Sequence, residues 1–173
     1  SDTESAVVIQ TEETMFKSLL ANASFRQQFV TTFLDLENQN FSYAIVRAAM
    51  GTCLGYIDDP DMMDAYFANR PAYINDSLAE TFSLTGTLVP VTLSVNDASM
   101  GEILLNTITP DLSSGSWSGN YYTDYPVTVT AEPMDGYRLK EWLINGEHIT
   151  DPSTSVTLPE SGADIQAVFE PLS

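Results

Sequence analysis

The sequence predicts an α+β protein of two segregated parts. A helical bundle of about five helices fills residues 1–86, and a small antiparallel β domain, sandwich-like or barrel-like, fills residues 87–173. Three observations carry this. Through residues 15–41, MFKSLLANASFRQQFVTTFLDLENQNF, the apolar residues recur three to four apart, which is the stripe a helix buries. After Gly86 the period changes to alternation, the pattern of a half-buried strand. Two turn signals, Asp135-Gly136 and Asn145-Gly146, then sit between alternating runs and mark hairpins.

Taken in order, residues 6–9 (AVVI) are an extended arm or a frayed end. A first helix begins after Thr11, with Glu12 and Glu13 in its first turn against the helix dipole, and ends near Ala21-Asn22. The second starts at Ser24, whose hydroxyl and Gln27 three residues on form a capping box, and runs to about Asn38. Its buried stripe is Phe25, Phe29, Val30, Phe33, Leu34 and Leu36. Ser42, flanked by the Phe41 and Val46 staple, opens a third helix to about Ile57, in which Gly51 and Gly55 admit a close neighbour. Asp59-Pro60 opens a fourth with Asp as N-cap and Pro at the first helical position, and Arg70-Pro71 a fifth, ending near Phe82.

Strands follow. Residues 87–95 (TLVPVTLSV) form the first, where Pro90 lacks a ladder donor and implies an edge position or a bulge. Residues 101–106 are a second, 111–119 (DLSSGSWSG) a loop by composition, and 120–125 a weak strand. Val127, Val129 and Ala131 alternate with threonines in PVTVTAEP. The segments YRLKEWLI and EHI flank Asn145-Gly146, and residues 155–158 and 165–169 complete about seven short strands.

Composition restricts function. A formal charge of −18 is spread over both halves, with twelve acids against four bases in residues 1–85 and twelve against two in residues 86–173. Such a surface repels phosphate backbones, so nucleic acid is excluded as a partner. No stretch of 18 apolar residues provides a membrane span. The single cysteine, Cys53, lies in an apolar helical run and is expected to be a buried core residue. The start, SDTES, has neither an initiator Met nor a signal-peptide pattern, and is expected to belong to a mature product or an excised fragment.

No catalytic constellation, cofactor motif or metal set is evident. The acids Asp58, Asp59, Asp61 and Asp64 lack the glycine and closing glutamate of a calcium loop, and helix capping accounts for Asp59 and Asp61. His148, the sole histidine, has no metal-binding companion and is expected on a hairpin surface. Trp117, Tyr121, Tyr122 and Tyr125 are the one candidate ligand-binding group, a flat aromatic platform for sugar rings. The competing expectation is that alternate members of this group pack into the β core, as Trp142 is expected to do.

The phrase at residues 15–41, continued by Arg70-Pro71-Ala72-Tyr73 and by LAETFSLTG at residues 78–86, resembles the C-terminal end of the spore coat protein H (CotH) kinase-like family. That resemblance implies a larger kinase-like lobe whose nucleotide-binding and metal-binding motifs lie upstream, none of them carried by a residue here. GNYYTDYPVTVTAEPMDGYRLKEW at residues 119–142 and ADIQAVFEP at residues 163–171 resemble small bacterial surface repeats of the internalin B type. Asp124 stands where that pattern has glycine, and Lys140-Glu141 precede Trp142.

Together these imply a non-catalytic C-terminal accessory region of a secreted or cell-surface bacterial protein, ending in a β module for adhesion or spacing. Its implied partners are the missing upstream lobe and a cell-surface protein or glycan. The alternatives are a carbohydrate-binding module using the four aromatics, and one part of an enzyme whose catalytic lobe is absent.

Overall fold

Asn22 fixes where the first regular element starts. In the computed structural model, which describes residues 21–39, 79 and 82–173, its Oδ1 accepts from the backbone N–H of Ser24 at 3.0 Å and of Phe25 at 3.2 Å. Its carbonyl takes the first helical bond, from the Arg26 N–H at 3.0 Å. Helix α1 therefore spans Ala23–Asn38, and Ser24 lies inside its first turn instead of capping it. Asparagine caps as well as serine does, and starting earlier brings Ala23, the best helix former, into the helix.

The five-helix bundle is corrected. Among the described residues there is one helical element, and strands arranged in two sheets make up 46%. The other predicted helices fall almost entirely outside the described residues, as do the arm at residues 6–9, Cys53 and the acids at residues 58–64. Helical spacing names the residues that would share a face if a helix formed. It does not supply the surface that makes the helix form.

The chain divides into two compact units, Ser1–Phe33 with Ser42–Leu84, and Leu34–Phe41 with Thr85–Ser173. In the first, Phe29, Val30 and Phe33 are buried, and the Phe29 ring stacks on Phe82 with centroids 4.9 Å apart. The second contains the end of α1 and eight strands: β1 Leu88–Val95, β2 Gly101–Leu105, β3 Ser116–Tyr122, β4 Val127–Pro133, β5 Tyr137–Ile144, β6 Glu147–Ile149, β7 Ser153–Val156 and β8 Ala163–Pro171. One sheet has the order β3-β1-β8-β5-β6 and the other β2-β4-β7.

Alternation sorts the side chains as a sandwich requires. From the larger sheet Val89, Val91, Leu93, Tyr121, Ile165, Ala167, Phe169, Trp142 and Ile144 are buried, and from the smaller Ile103, Leu105, Val127, Val129 and Val156. The two inner faces meet closely at Gly101. A Cβ there would lie 2.6 Å from the Phe169 ring, so only glycine lets that ring in. Of the two signalled hairpins one forms, β5 with β6 across Asn145-Gly146, whereas Asp135-Gly136 turns the chain from β4 in the smaller sheet to β5 in the larger, and those two strands do not pair. Asn145 and Gly146 have φ of 50° and 85°, the pair of positive values that a two-residue hairpin turn of this hand demands.

Three strand expectations change. β1 and β8 run parallel, so the domain is not wholly antiparallel. The strand expected at residues 120–125 starts earlier, at Ser116, inside the segment read as a loop, because Trp117 pairs with Leu93 of β1. Pro90 sits in an interior strand, yet its missing N–H costs no bond. Pairing with β8 begins only at Val91, and Asn120, opposite Pro90 on β3, turns its own amide and carbonyl outward to Asn38.

Candidate functional site

Asp35 is the one buried polar or charged residue among the described core positions, with no exposed surface at all. The period of α1 places it beside Leu34, on the side facing the sandwich. There it accepts the Tyr121 hydroxyl at 2.7 Å and Asn106 Nδ2 at 3.0 Å on Oδ1. On Oδ2 it accepts the Thr107 hydroxyl at 2.8 Å and the Thr107 N–H at 3.2 Å. Each partner is held independently. Asn106 and Thr107 are the central residues of a tight turn closed by mutual backbone bonds between Leu105 and Ile108, with Asn106 at φ 51°. Asn106 is pinned further by Thr128, whose N–H donates to its Oδ1 at 2.9 Å.

The carboxylate thus stitches β3, an edge of the larger sheet, to the turn after β2, an edge of the smaller one. Burial pushes its pKa above the ordinary carboxylate value, while the bonds from Asn106, Tyr121 and Thr107 pull the other way. The Tyr121 phenol is driven up by burial and then by the Asp35 charge, which keeps it a donor. A carboxylate with four donors occupies all its acceptor sites with its own chain. Those sites are engaged by Tyr121, Asn106 and Thr107, and its chemistry is that of a latch. Among the described residues no group of three or more His, Cys, Asp or Glu is placed to hold a metal ion.

One turn later Asn38 closes the outer edge of β3. Its Nδ2 donates to the Asn120 carbonyl and its Oδ1 accepts the Asn120 N–H, both at 2.9 Å, as a neighbouring strand would. An unpaired strand edge is a template for aggregation, and this side chain covers part of it. Gly119 makes the approach feasible, because a Cβ there would lie 2.8 Å from Asn38 Cγ and would strike the Trp117 ring.

The four aromatics do not share one surface. Tyr121 and Tyr122 are 2% and 7% exposed and, as successive strand residues, point to opposite faces. Trp117 and Tyr125 are half-buried, and the Trp117 ring lies over Gly119. His148 is exposed beside Glu141 at 2.7 Å, and Trp142 is fully buried with Nε1 donating to the Asp151 carbonyl at 2.8 Å.

Residues 91–173 match the family model of a divergent InlB B-repeat domain. The likeness to bacterial surface repeats at residues 119–171 is therefore shown. The match begins beyond residues 14–86, on which the CotH resemblance rests. No curated protein and no solved structure matches the chain.

Asp124 is where the β unit departs from the glycine of the surface-repeat pattern, and the structure gives the departure a purpose. Its carboxylate accepts the N–H groups of Thr85 and Gly86, both at 2.9 Å, while Thr123 Oγ1 accepts the Thr87 N–H at 3.0 Å. The segment entering β1 is thereby tied to the turn after β3. Gly86 is needed for the approach, since a Cβ there would strike Thr123 Oγ1 and Asp124 Oδ1. Asp124→Gly, which restores the pattern, is expected to cost about 1 kcal/mol, since these bonds are solvent-exposed. It should also speed amide exchange at Thr85 and Gly86; unchanged exchange there would contradict the tie.

Sequence reasoning did not find Asp35, Asn38, Asn106 or Thr107. The one local signal was an acid lodged between Leu34 and Leu36 at the buried edge of a helical stripe, where an unpaired charge would be costly.

Proposed function

We propose that this chain is a non-catalytic accessory region of a secreted or cell-surface bacterial protein, in which the repeat module spaces or presents the segment ahead of it. The family match supports the surface setting, since InlB B-repeats are a family of bacterial surface proteins. The observation that carries the non-catalytic reading is the saturation of Asp35. Its carboxylate is wholly consumed by Tyr121, Asn106 and Thr107 of its own chain. The same latch makes the end of α1 part of the module, as a presenting spacer requires.

In this reading the parent is CotH-like, and its kinase-like lobe is the module's upstream partner. The gene ahead of residue 1 tests this cheaply: kinase-like acidic motifs are expected, and a sequence without them removes the CotH parent. Location is tested on intact cells. Antibody against residues 85–173 should label the surface, and labelling only after lysis would refute the surface reading. The sugar-binding alternative retains Trp117 and Tyr125 as partly exposed rings. Glycan-array binding lost on Trp117→Ala would favour it over the spacer.

A further inference from the structure

We infer that the repeat module is a mechanical clamp, loaded in shear between its first and last strands. β1 opens the module, β8 closes it, and the two lie side by side and parallel, from Val91 opposite Ala163 to Val95 opposite Ala167. Parallel neighbours have their starts at one end and their finishes at the other. Tension entering at the start of β1 and leaving at the end of β8 therefore pulls the two strands past each other along their length. The evenly spaced bonds of a parallel ladder then share the load and must fail together. In an antiparallel hairpin pulled at its two free ends, the bonds open one after another.

Four further features support the clamp. β8 is interior, with β5 on its other side from Tyr137 opposite Pro171 to Ile144 opposite Ile165, so it cannot be withdrawn without shearing two ladders. Asn96, just past β1, prolongs the β1–β8 ladder. Its N–H donates to the Ala167 carbonyl at 3.2 Å, its Nδ2 to the Phe169 carbonyl at 2.9 Å, and its Oδ1 accepts the Phe169 N–H at 2.8 Å. Val91, Leu93, Ile165 and Ala167 have no exposed surface, so water cannot reach the ladder from the inner face to replace a straining bond. The entry segment is moored at Asp124, so load arrives at β1 in a fixed place.

This deepens the spacer reading, which supplies the tension, while its evidence is the strand order alone. The test is single-molecule force spectroscopy on the full chain in a Cys53→Ser background, with one handle at the C-terminus. The other handle is placed at Thr85→Cys, ahead of β1, or at Ala98→Cys, an exposed position just beyond it. The first pair shears β8 against β1. The second pulls both strands from the same end and peels β8 away. Unfolding the module is recognised by the extension released, about 3.3–3.6 Å per residue between the handles. Forced rupture reports the barrier to unfolding and not equilibrium stability. The shear pair should require at least threefold more force than the peel pair, and Asn96→Ala should lower the shear force. Equal forces from the two pairs would overturn the clamp and leave the surface reading to the cell-labelling result. Labelling only after lysis would refute the surface reading and leave the clamp standing.

Discussion

Asp35→Ala is expected to destabilise the unit of residues 34–41 and 85–173 by about 3–5 kcal/mol, since several donors lose their acceptor at roughly 1–3 kcal/mol for each one left buried and unsatisfied. The cost lies less in the missing carboxylate than in what it leaves. The Tyr121 hydroxyl, Asn106 Nδ2 and the Thr107 N–H and hydroxyl all point at it, and the carboxylate itself has no exposed surface. Asp35→Asn should be milder and still harmful. Its single amide oxygen can serve only one side, so its NH2 would face either the fixed Thr107 N–H or Asn106 Nδ2, which cannot flip because Asn106 Oδ1 already holds the Thr128 N–H. Tyr121→Phe removes a single donor to a charged acceptor and should cost roughly 1.5–3 kcal/mol. Urea unfolding of the three variants gives these values. A double variant of Tyr121→Phe and Asp35→Asn should cost less than the sum of the two, because the residues share one bond.

The same carboxyl sets a pH dependence whose sign follows from its environment. Its folded pKa lies above the ordinary 3.8, with burial as the leading cause, so the folded state holds this proton more tightly than the unfolded chain does. The stability it contributes is then fully present below 3.8 and is lost as pH rises through the folded value. Acid also relieves repulsion in a chain of net charge −18. The quantity to follow is therefore the difference between the wild type and Asp35→Asn, in which that background cancels. The difference should decline with rising pH across this window; one that grew would mean that the hydrogen bonds, and not burial, govern the site.

Trp142→Ala is expected to cost about 3–5 kcal/mol, the range for deleting a large buried ring. No part of Trp142 is exposed, and it stands on β5 opposite Ala167 of β8, where the small partner leaves room for the indole. Trp142→Phe separates packing from hydrogen bonding. It keeps an aromatic body, gives up the 2.8 Å bond to the Asp151 carbonyl, and should cost about 1–2 kcal/mol. Far-UV circular dichroism through urea titrations distinguishes the two, and equal losses would mean that the hydrogen bond outweighs the packing.

Much of the β module was legible because its signals are local. Alternation in residues 127–133 and 137–144, and the pair Asn145-Gly146, need nothing beyond neighbouring residues to declare a strand, a turn and a strand. β3 was misplaced because SWSG has loop composition. It becomes strand only because Trp117 and Gly119 find Leu93 and Val91, more than twenty residues earlier in the chain. The helix end near Asn38 was anticipated, whereas its start moved from Ser24 to Asn22 because two acceptable caps lay two residues apart. The aromatic group was grouped by sequence proximity, and pleating sent Tyr121 and Tyr122 to opposite faces.

By itself, the sequence determined the alternating strands, the tight hairpin at Asn145-Gly146, the acidic surface and the buried place of Trp142, since each follows from spacing, turn chemistry or hydropathy within a few residues. The tertiary structure alone decided that β8 lies parallel to β1 and that Asp35 meets Tyr121, 86 positions away in the chain. Which distant strand becomes a neighbour depends on the free energy of closing the whole core. A carboxylate among leucines shows its cost in the sequence, but its compensation appears only when the fold brings the donors to it.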